Sequence, residues 1–147
     1  MRAVLQRVRR AEVRIGERTT GRIGIGFVIL LGVGRGDSEN DAKFLADRVA
    51  GIRVFADATG KMNLTLDAAH GDVLVISQFT LYADTSQRRP SFVNAAPPDE
   101  AERLYELFLS LLRARGVKVE TGEFGATMDV DLVNDGPVTI ILDSRDR

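Results

Sequence analysis

The stretch "DLVNDGPVTIIL", residues 131–142, sets two apolar runs on either side of Asn134-Asp135-Gly136-Pro137. Its flanks have the pattern of a buried β-strand, yet proline has no N–H for a sheet ladder and belongs at a strand start, an edge or a bulge. Two readings follow. In one, Asn-Asp-Gly makes a tight turn and Pro137 begins a new strand. In the other, Gly136-Pro137 is a rigid bend of the kind built on a cis bond, a state that only ~5–6% of X-Pro bonds adopt. Glycine has no Cβ to obstruct an approaching ligand, so such a bend presents two carbonyls together. That surface is rich in acceptors and suits an ammonium group.

Outward from this stretch, strand signals dominate the two ends of the chain. "AVLQRVRRAEVRI" (3–15) is alternating or β-branched, "GERTTG" (16–21) reads as a turn, and "IGIGFVILLGVG" (23–34) as a buried strand. A helix is predicted from "SEND" (38–41), with Ser38 as N-cap, Asp41 three residues on, and Phe44, Leu45 and Val49 as its apolar stripe. "IRVF" (52–55) reads as a short strand and 57–63 as a loop. "DVLVISQFTLYA" (72–83) is the most β-prone run and predicts a central strand. A second helix is predicted with Asp99 as cap, Leu104, Leu107, Phe108, Leu111 and Leu112 as its buried face, and Gly116 at its end. Strands return at 117–122, 126–133 and 138–142. The prediction is one α+β domain over residues 1–147, a predominantly antiparallel sheet or open barrel covered by two helices.

Composition removes several chemistries. The chain has no cysteine and one histidine, His70. Disulfides, thiolate nucleophiles and Cys- or His-rich metal sites are excluded, and a Ser-His-Asp triad would have to use His70, which sits in the turn-like "DAAHGD" (67–72). No metal or cofactor is expected. A net charge of −1 argues against a bulk nucleic-acid coat, although Arg7, Arg9 and Arg10, and Arg88 and Arg89, make local basic clusters. The longest apolar run, "FVILLGV" (27–33), falls far short of the ~20 residues of a membrane span. The opening "MRAVLQRV" has no apolar signal core, so the expected location is the cytoplasm.

A second polar interruption lies in "SQFT" (77–80), where Ser77, Gln78 and Thr80 follow the apolar "VLVI". On a strand, Ser77 and Phe79 would face one way and Gln78 and Thr80 the other. Buried amides and hydroxyls are costly unless hydrogen-bonded. The segment is either a strand end whose polar groups cap the next turn, or a ligand or oxyanion site. The loop "SQRRPSFVNAAPP" (86–98) is long, polar and proline-containing, which favours a functional role.

Together, "VISQFTLYA" (75–83) and "LVNDGPVT" (132–139) resemble the two signature motifs of the D-aminoacyl-tRNA deacylases, the D-Tyr-tRNA deacylase family. "LQRV" (5–8), "GKMN" (60–63) and "RPSF" (89–92) match in the same order along the chain. The resemblance implies a homodimer that hydrolyses the ester between a D-amino acid and the 3′ adenosine of tRNA, with the active site at the subunit interface. It implies that Ser77, Gln78, Phe79 and Thr80 line the pocket for the adenosine and the ester, with the Phe79 N–H as oxyanion donor. Gly136 and Pro137, as a Gly-cisPro motif of the other subunit, would meet the α-amino group, and Arg7 would hold that motif in orientation. L-aminoacyl groups would be rejected by backbone, and glycyl groups imperfectly excluded.

The residue inventory fits that mechanism, since no conventional nucleophile–base pair is available. The ribose 2′-hydroxyl is implied to assist water, and Thr80 reads better as pocket lining than as nucleophile. Arg88 and Arg89 could reach acceptor-stem phosphates or be plain solvated loop residues. Two other functions remain open on sequence: a serine or threonine esterase of small esters acting through Ser77 or Thr80, and a non-enzymatic adenosine-binding module.

Overall fold

β1 (Arg2–Ile15) turns at Gly16-Glu17 into β2 (Arg18–Ile23), and β3 (Gly26–Gly32) returns along the first half of β1, from Val8↔Gly26 to Arg2↔Gly32, in a computed structural model that describes residues 1–147. The predicted turn at 16–21 therefore shrinks to two residues. Gly16, at φ +61°, makes the reversal, and the β-branched Thr19 and Thr20 extend the strand. α1 (Glu39–Gly51) starts as its sequence predicts: the Ser38 N–H donates to Asp41 Oδ2 at 2.7 Å. β4 (Phe55–Ala56) and β5 (Met62–Leu64) pair as a small separate sheet where only one strand and a loop were expected. The Asp57 carboxylate accepts the N–H groups of Thr59 and Lys61 and shapes the link between them.

β6 (Asp72–Ser77) lies beside β3, α2 (Pro98–Ala114) follows, β7 (Val119–Thr121) lies beside β6, and β8 (Asp129–Asp143) runs along β1. α2 begins with Pro97 as N-cap and Pro98 in its first turn, not with Asp99 as cap. Proline lacks the N–H that a first turn leaves unpaired, so Asp99 and Glu100 complement the helix dipole instead. Its buried face is Ala101, Leu104, Tyr105, Phe108, Leu109 and Leu112, with Leu107 and Leu111 only half-buried. Gly116, at φ +81°, ends it as predicted.

Four of the six ladders are antiparallel. The two parallel ones, β3–β6 and β6–β7, each need a crossover, which α1 and α2 supply. The strand order is β2-β1-β3-β6-β7, with β8 on the far side of β1. A Cβ on Gly21 of β2 would lie 2.7 Å from the Thr121 carbonyl of β7, so the two ends of the sheet meet and the mixed sheet nearly closes into a barrel. This is the α+β architecture that the sequence predicts. No helix is long and apolar enough to cross a membrane.

The helices cover one face, where Leu5, Phe27, Ile29, Val75, Leu45, Leu104 and Phe108 are fully buried. Inside the barrel, Val8, Ala11, Val13, Val28 and Leu74 form a second cluster. Val8 and Ala11 share that face despite their odd spacing because the β1–β8 register shifts at Arg9.

The stretch 131–142 contains no turn and no new strand start. β8 runs through it, and the two expected strands, 126–133 and 138–142, are one. Gln6 pairs with Thr139 and Val8 with Asn134, so residues 135–138 all lie opposite Arg7. Asp135-Gly136-Pro137-Val138 is thus a wide bulge, which removes the ladder that Pro137 could not serve. The Gly136–Pro137 bond is cis, and Gly136 has φ +129°.

Near the far end of β8, Asp143 binds Arg2 at 3.0 Å and Arg145 at 2.8 Å. Hydrogen bonds from Arg145 hold its carboxyl well below the usual range, burial opposes this, and Arg2 adds to the lowering. A depressed carboxyl stabilises the fold fully above its unfolded value of ~3.9 and ceases to do so as pH falls through its folded value. Asp143→Asn should cost about 1–2 kcal/mol in urea unfolding at pH 7, with the gap from wild type closing as the pH drops below about 4. A gap that persists undiminished at acid pH would show that the charge is not its origin.

Candidate active site

The end of β6 builds the site. The Gln78 N–H donates to the Leu31 carbonyl at 2.8 Å, and the chain then leaves the sheet as a 3₁₀ turn, Phe79–Tyr82. The expected strand over 72–83 ends at Ser77, and the alternation of Ser77 and Phe79 against Gln78 and Thr80 does not occur. Gly32 and Gly34 make room for this turn. A Cβ on Gly34 would sit 2.5 Å from the Tyr82 ring, and one on Gly32 would sit 3.0 Å from the Gln78 carbonyl. Tyr82 is the buried anchor, and burial, with Asp37 second, raises its phenol so that it stays protonated.

Because Phe79 and Thr80 open a helical turn, their N–H groups have no acceptor inside it. The same region borders a cavity of about 660 Å³, lined mainly by apolar groups. Ser77, Gln78 and Phe79 line it on one side and Phe92 on another, while Tyr105 lies toward the core, donating its hydroxyl to the Val75 carbonyl at 3.1 Å. Phe79 and Phe92 meet edge-on at 5.1 Å, and both remain exposed, Phe79 by 55%. Exposed rings of this kind form a ready surface for a flat heterocycle.

No carboxylate or imidazole borders the cavity. Its ionisable groups are Arg35 and Tyr105, and burial raises the Tyr105 phenol, so neither is a base near neutral pH. Thr80 is exposed beside the cavity, and its hydroxyl accepts a hydrogen bond from the Gln78 amide. His70 is exposed at the opposite end of β6, at φ +55°. Apart from the Arg35 guanidinium, backbone N–H groups, an amide and hydroxyls are therefore the polar tools at this site.

Arg7, Gly136 and Pro137 form a separate cluster. The Arg7 side chain is 11% exposed; Nε donates to the Asp135 carbonyl at 3.2 Å, and Nη1 to the Val54 carbonyl at 2.5 Å. Gly136 and Pro137 are exposed at the bulge, and a Cβ on Gly136 would come within 3.2 Å of Arg7 Nη2. By strand spacing this cluster lies roughly 20 Å from the SQFT segment of the same chain. The structure thus assembles Ser77, Gln78 and Phe79 with Thr80 beside them, and Arg7 with Gly136 and Pro137, but not the two sets with each other. Arg88 and Arg89 are exposed and border neither the cavity nor the bulge. Arg35 and Tyr105 were missed by sequence reading, because one looks like a turn residue and the other like ordinary helix core.

Residues 4–143 match the family model described as D-Tyr-tRNA(Tyr) deacylase. The chain belongs to the D-Tyr-tRNA(Tyr) deacylase family. It is 57% identical over 145 residues to a D-aminoacyl-tRNA deacylase of Thermotoga petrophila, covering 98% of this chain and 97% of the relative. It is 56% identical over 146 residues to one of Anaeromyxobacter dehalogenans, covering 99% and 98%. Among solved structures it resembles a c-Myc DNA unwinding element binding protein, with TM-score 0.91, 37% identity, and coverage of 97% and 98%. A probable eukaryotic D-amino acid tRNA deacylase shares the fold at TM-score 0.83 and 17% identity, with the same coverage. The resemblance carried by the two motifs thus holds along the whole deacylase chain, and the protein is an ester hydrolase of this family.

The Arg7 contacts make a local prediction. Arg7→Ala should leave the fold intact but speed amide exchange at Asp135 and Val138 by about tenfold or more, as a hydrogen-bonded tether worth ~1–3 kcal/mol is removed. Unchanged exchange there would show that the bulge holds its shape without Arg7.

Proposed function

We propose that this deacylase cleaves D-aminoacyl-tRNA in the cytoplasm as a homodimer, with the cavity of one subunit facing Gly136 and Pro137 of the partner subunit. The observation that carries this reading is the separation of the two sets: each is exposed, and neither is a complete site. β8 supports it as well. Fourteen of its fifteen residues are at least partly exposed, Val130 by 38% and Ile141 by 68%, and it pairs only with β1. A long open edge of this kind is a liability unless something covers it.

The terminal adenine enters the apolar cavity against Phe79 and Phe92. Ser77 and Gln78 hold the ribose end, and Thr80 lines the approach. The ester carbonyl lies toward the Phe79 N–H, which stabilises the tetrahedral oxyanion; one such donor is typically worth ~10²–10³ in rate. Carbonyls of the partner's bulge accept hydrogen bonds from the substrate ammonium and orient the α-carbon. An L side chain then points into backbone held by Arg7, whereas a D side chain points away. Steric repulsion separates enantiomers more strongly than lost contacts, which distinguish only ~10–200-fold per methylene. Glycyl-tRNA has no side chain to exclude and is a weaker second substrate.

An aminoacyl ester is reactive, so orientation and oxyanion stabilisation suffice without a side-chain base. The vicinal ribose 2′-hydroxyl positions the attacking water. Thr80 has no base beside it, and this disfavours an esterase acting through that hydroxyl. Matched D- and L-tyrosyl-tRNA, followed by ester loss, test the proposal. The D form should be cleaved at least about a hundredfold faster, with a comparable loss when the terminal adenosine is 2′-deoxy. Equal cleavage of both enantiomers, or of neither, would overturn it.

A further inference from the structure

Beside the apolar cavity lies a second, polar cleft of about 410 Å³, lined by Arg2, Arg35, Asp37, Tyr82, Asn94 and Arg145. Arg35 borders both. We propose that this cleft binds the phosphodiester group immediately 5′ of the terminal adenosine. The assignment rests on the deacylase reading and extends it from the reacting end of the substrate to its backbone.

The guanidinium groups are held for such a ligand. Arg2 donates Nε and Nη2 to Asp143 Oδ2, each at 3.0 Å, and Nη1 to the Leu81 carbonyl at 2.8 Å. Asp143 in turn binds Arg145 through Nε at 3.1 Å and Nη2 at 2.8 Å. The Arg2 guanidinium lies 5.0 Å from the Tyr82 ring centre and that of Arg145 lies 6.0 Å from it. These contacts leave Arg145 Nη1 without an acceptor. Arg35 uses only Nε, on the Val93 carbonyl at 2.5 Å, so both of its terminal nitrogens are free. Planar guanidinium donors in fixed positions match phosphate oxygens.

The charge balance agrees. Three guanidinium groups face two carboxylates, Asp37 and Asp143, and the Met1 ammonium lies 2.7 Å from Asp37. At least one positive charge is uncompensated in a near-neutral chain. The cleft also lies where a polymer must run. Tyr82, the last residue of the turn that Phe79 and Thr80 open, and Ala83 after it stand at its wall, so a strand whose last base fills the apolar cavity passes Arg35 as it leaves.

The test compares two substrates that share the reacting ester: D-tyrosyl-tRNA, and 3′-O-D-tyrosyl-adenosine, which has no phosphate. Arg145→Gln should raise KM for the tRNA about tenfold relative to its effect on the nucleoside ester, with kcat on the tRNA kept. It should also flatten the dependence of log KM on log salt by about one unit. Arg35→Gln is the second variant, since Arg35 is exposed and its side chain makes a single hydrogen bond. For it the ratio of the two KM values should move in the same direction. Equal changes on both substrates, or an unaltered salt slope in both variants, would overturn the cleft while leaving the deacylase reading intact. Wild-type protein inert on both substrates would overturn both.

Discussion

The hold of one guanidinium, Arg7, on the bulge of β8 is the constraint on which the rest depends. β1 and β8 form the longest ladder of the fold, and at Arg7 four residues of one strand face a single residue of the other. A strand could satisfy a Gly-Pro pair by ending or by lying loose. Here it does neither, because Arg7 bonds the Asp135 and Val54 carbonyls and ties the bulge to the segment after α1. The bulge is therefore a fixed backbone surface on an otherwise open strand. Selectivity by repulsion needs such stiffness, since a wall that yields rejects nothing.

The apolar cavity obeys the complementary rule. It has few ionisable groups, and the two it has are not bases near neutral pH. Such a site cannot run chemistry that needs strong activation, but an aminoacyl ester needs little. In the proposed reaction it places a heterocycle and aims a carbonyl at backbone donors. Carboxylates serve the architecture instead: Asp143 clasps Arg2 and Arg145, and Asp41 caps α1 while binding Arg147 at 3.1 Å.

Much of this was legible in the sequence. The β-branched and alternating runs marked β1, β3 and β6, and Ser38 and Gly116 marked helix ends by local chemistry. The errors share a physical cause, which is that tertiary contacts outweighed local propensity. "SQFTLYA" is β-prone, but Gly32 and Gly34 allow a 3₁₀ turn to fold over the end of β3. Asp99 has the chemistry of a cap, but the preceding prolines start the helix earlier. Asn-Asp-Gly has the chemistry of a turn, but β1 is long enough to carry β8 straight past it. Arg35 gave no signal, because its role comes from lying between two cavities. The resemblance implied that the two motifs act from different subunits; the structure adds that they lie apart within one chain.

The central claim is that one working site is assembled from two copies of the chain, and complementation tests it most directly. One variant carries a disabled cavity, Phe79→Ala with Gln78→Ala, and the other a disabled bulge, Gly136→Ala with Pro137→Ala. Each alone should be nearly inactive. Refolded together in equal amounts, half of the dimers are mixed and each mixed dimer holds one intact site, so roughly a quarter of wild-type D-tyrosyl-tRNA hydrolysis should return. A mixture as inactive as its two components would contradict a site shared between subunits.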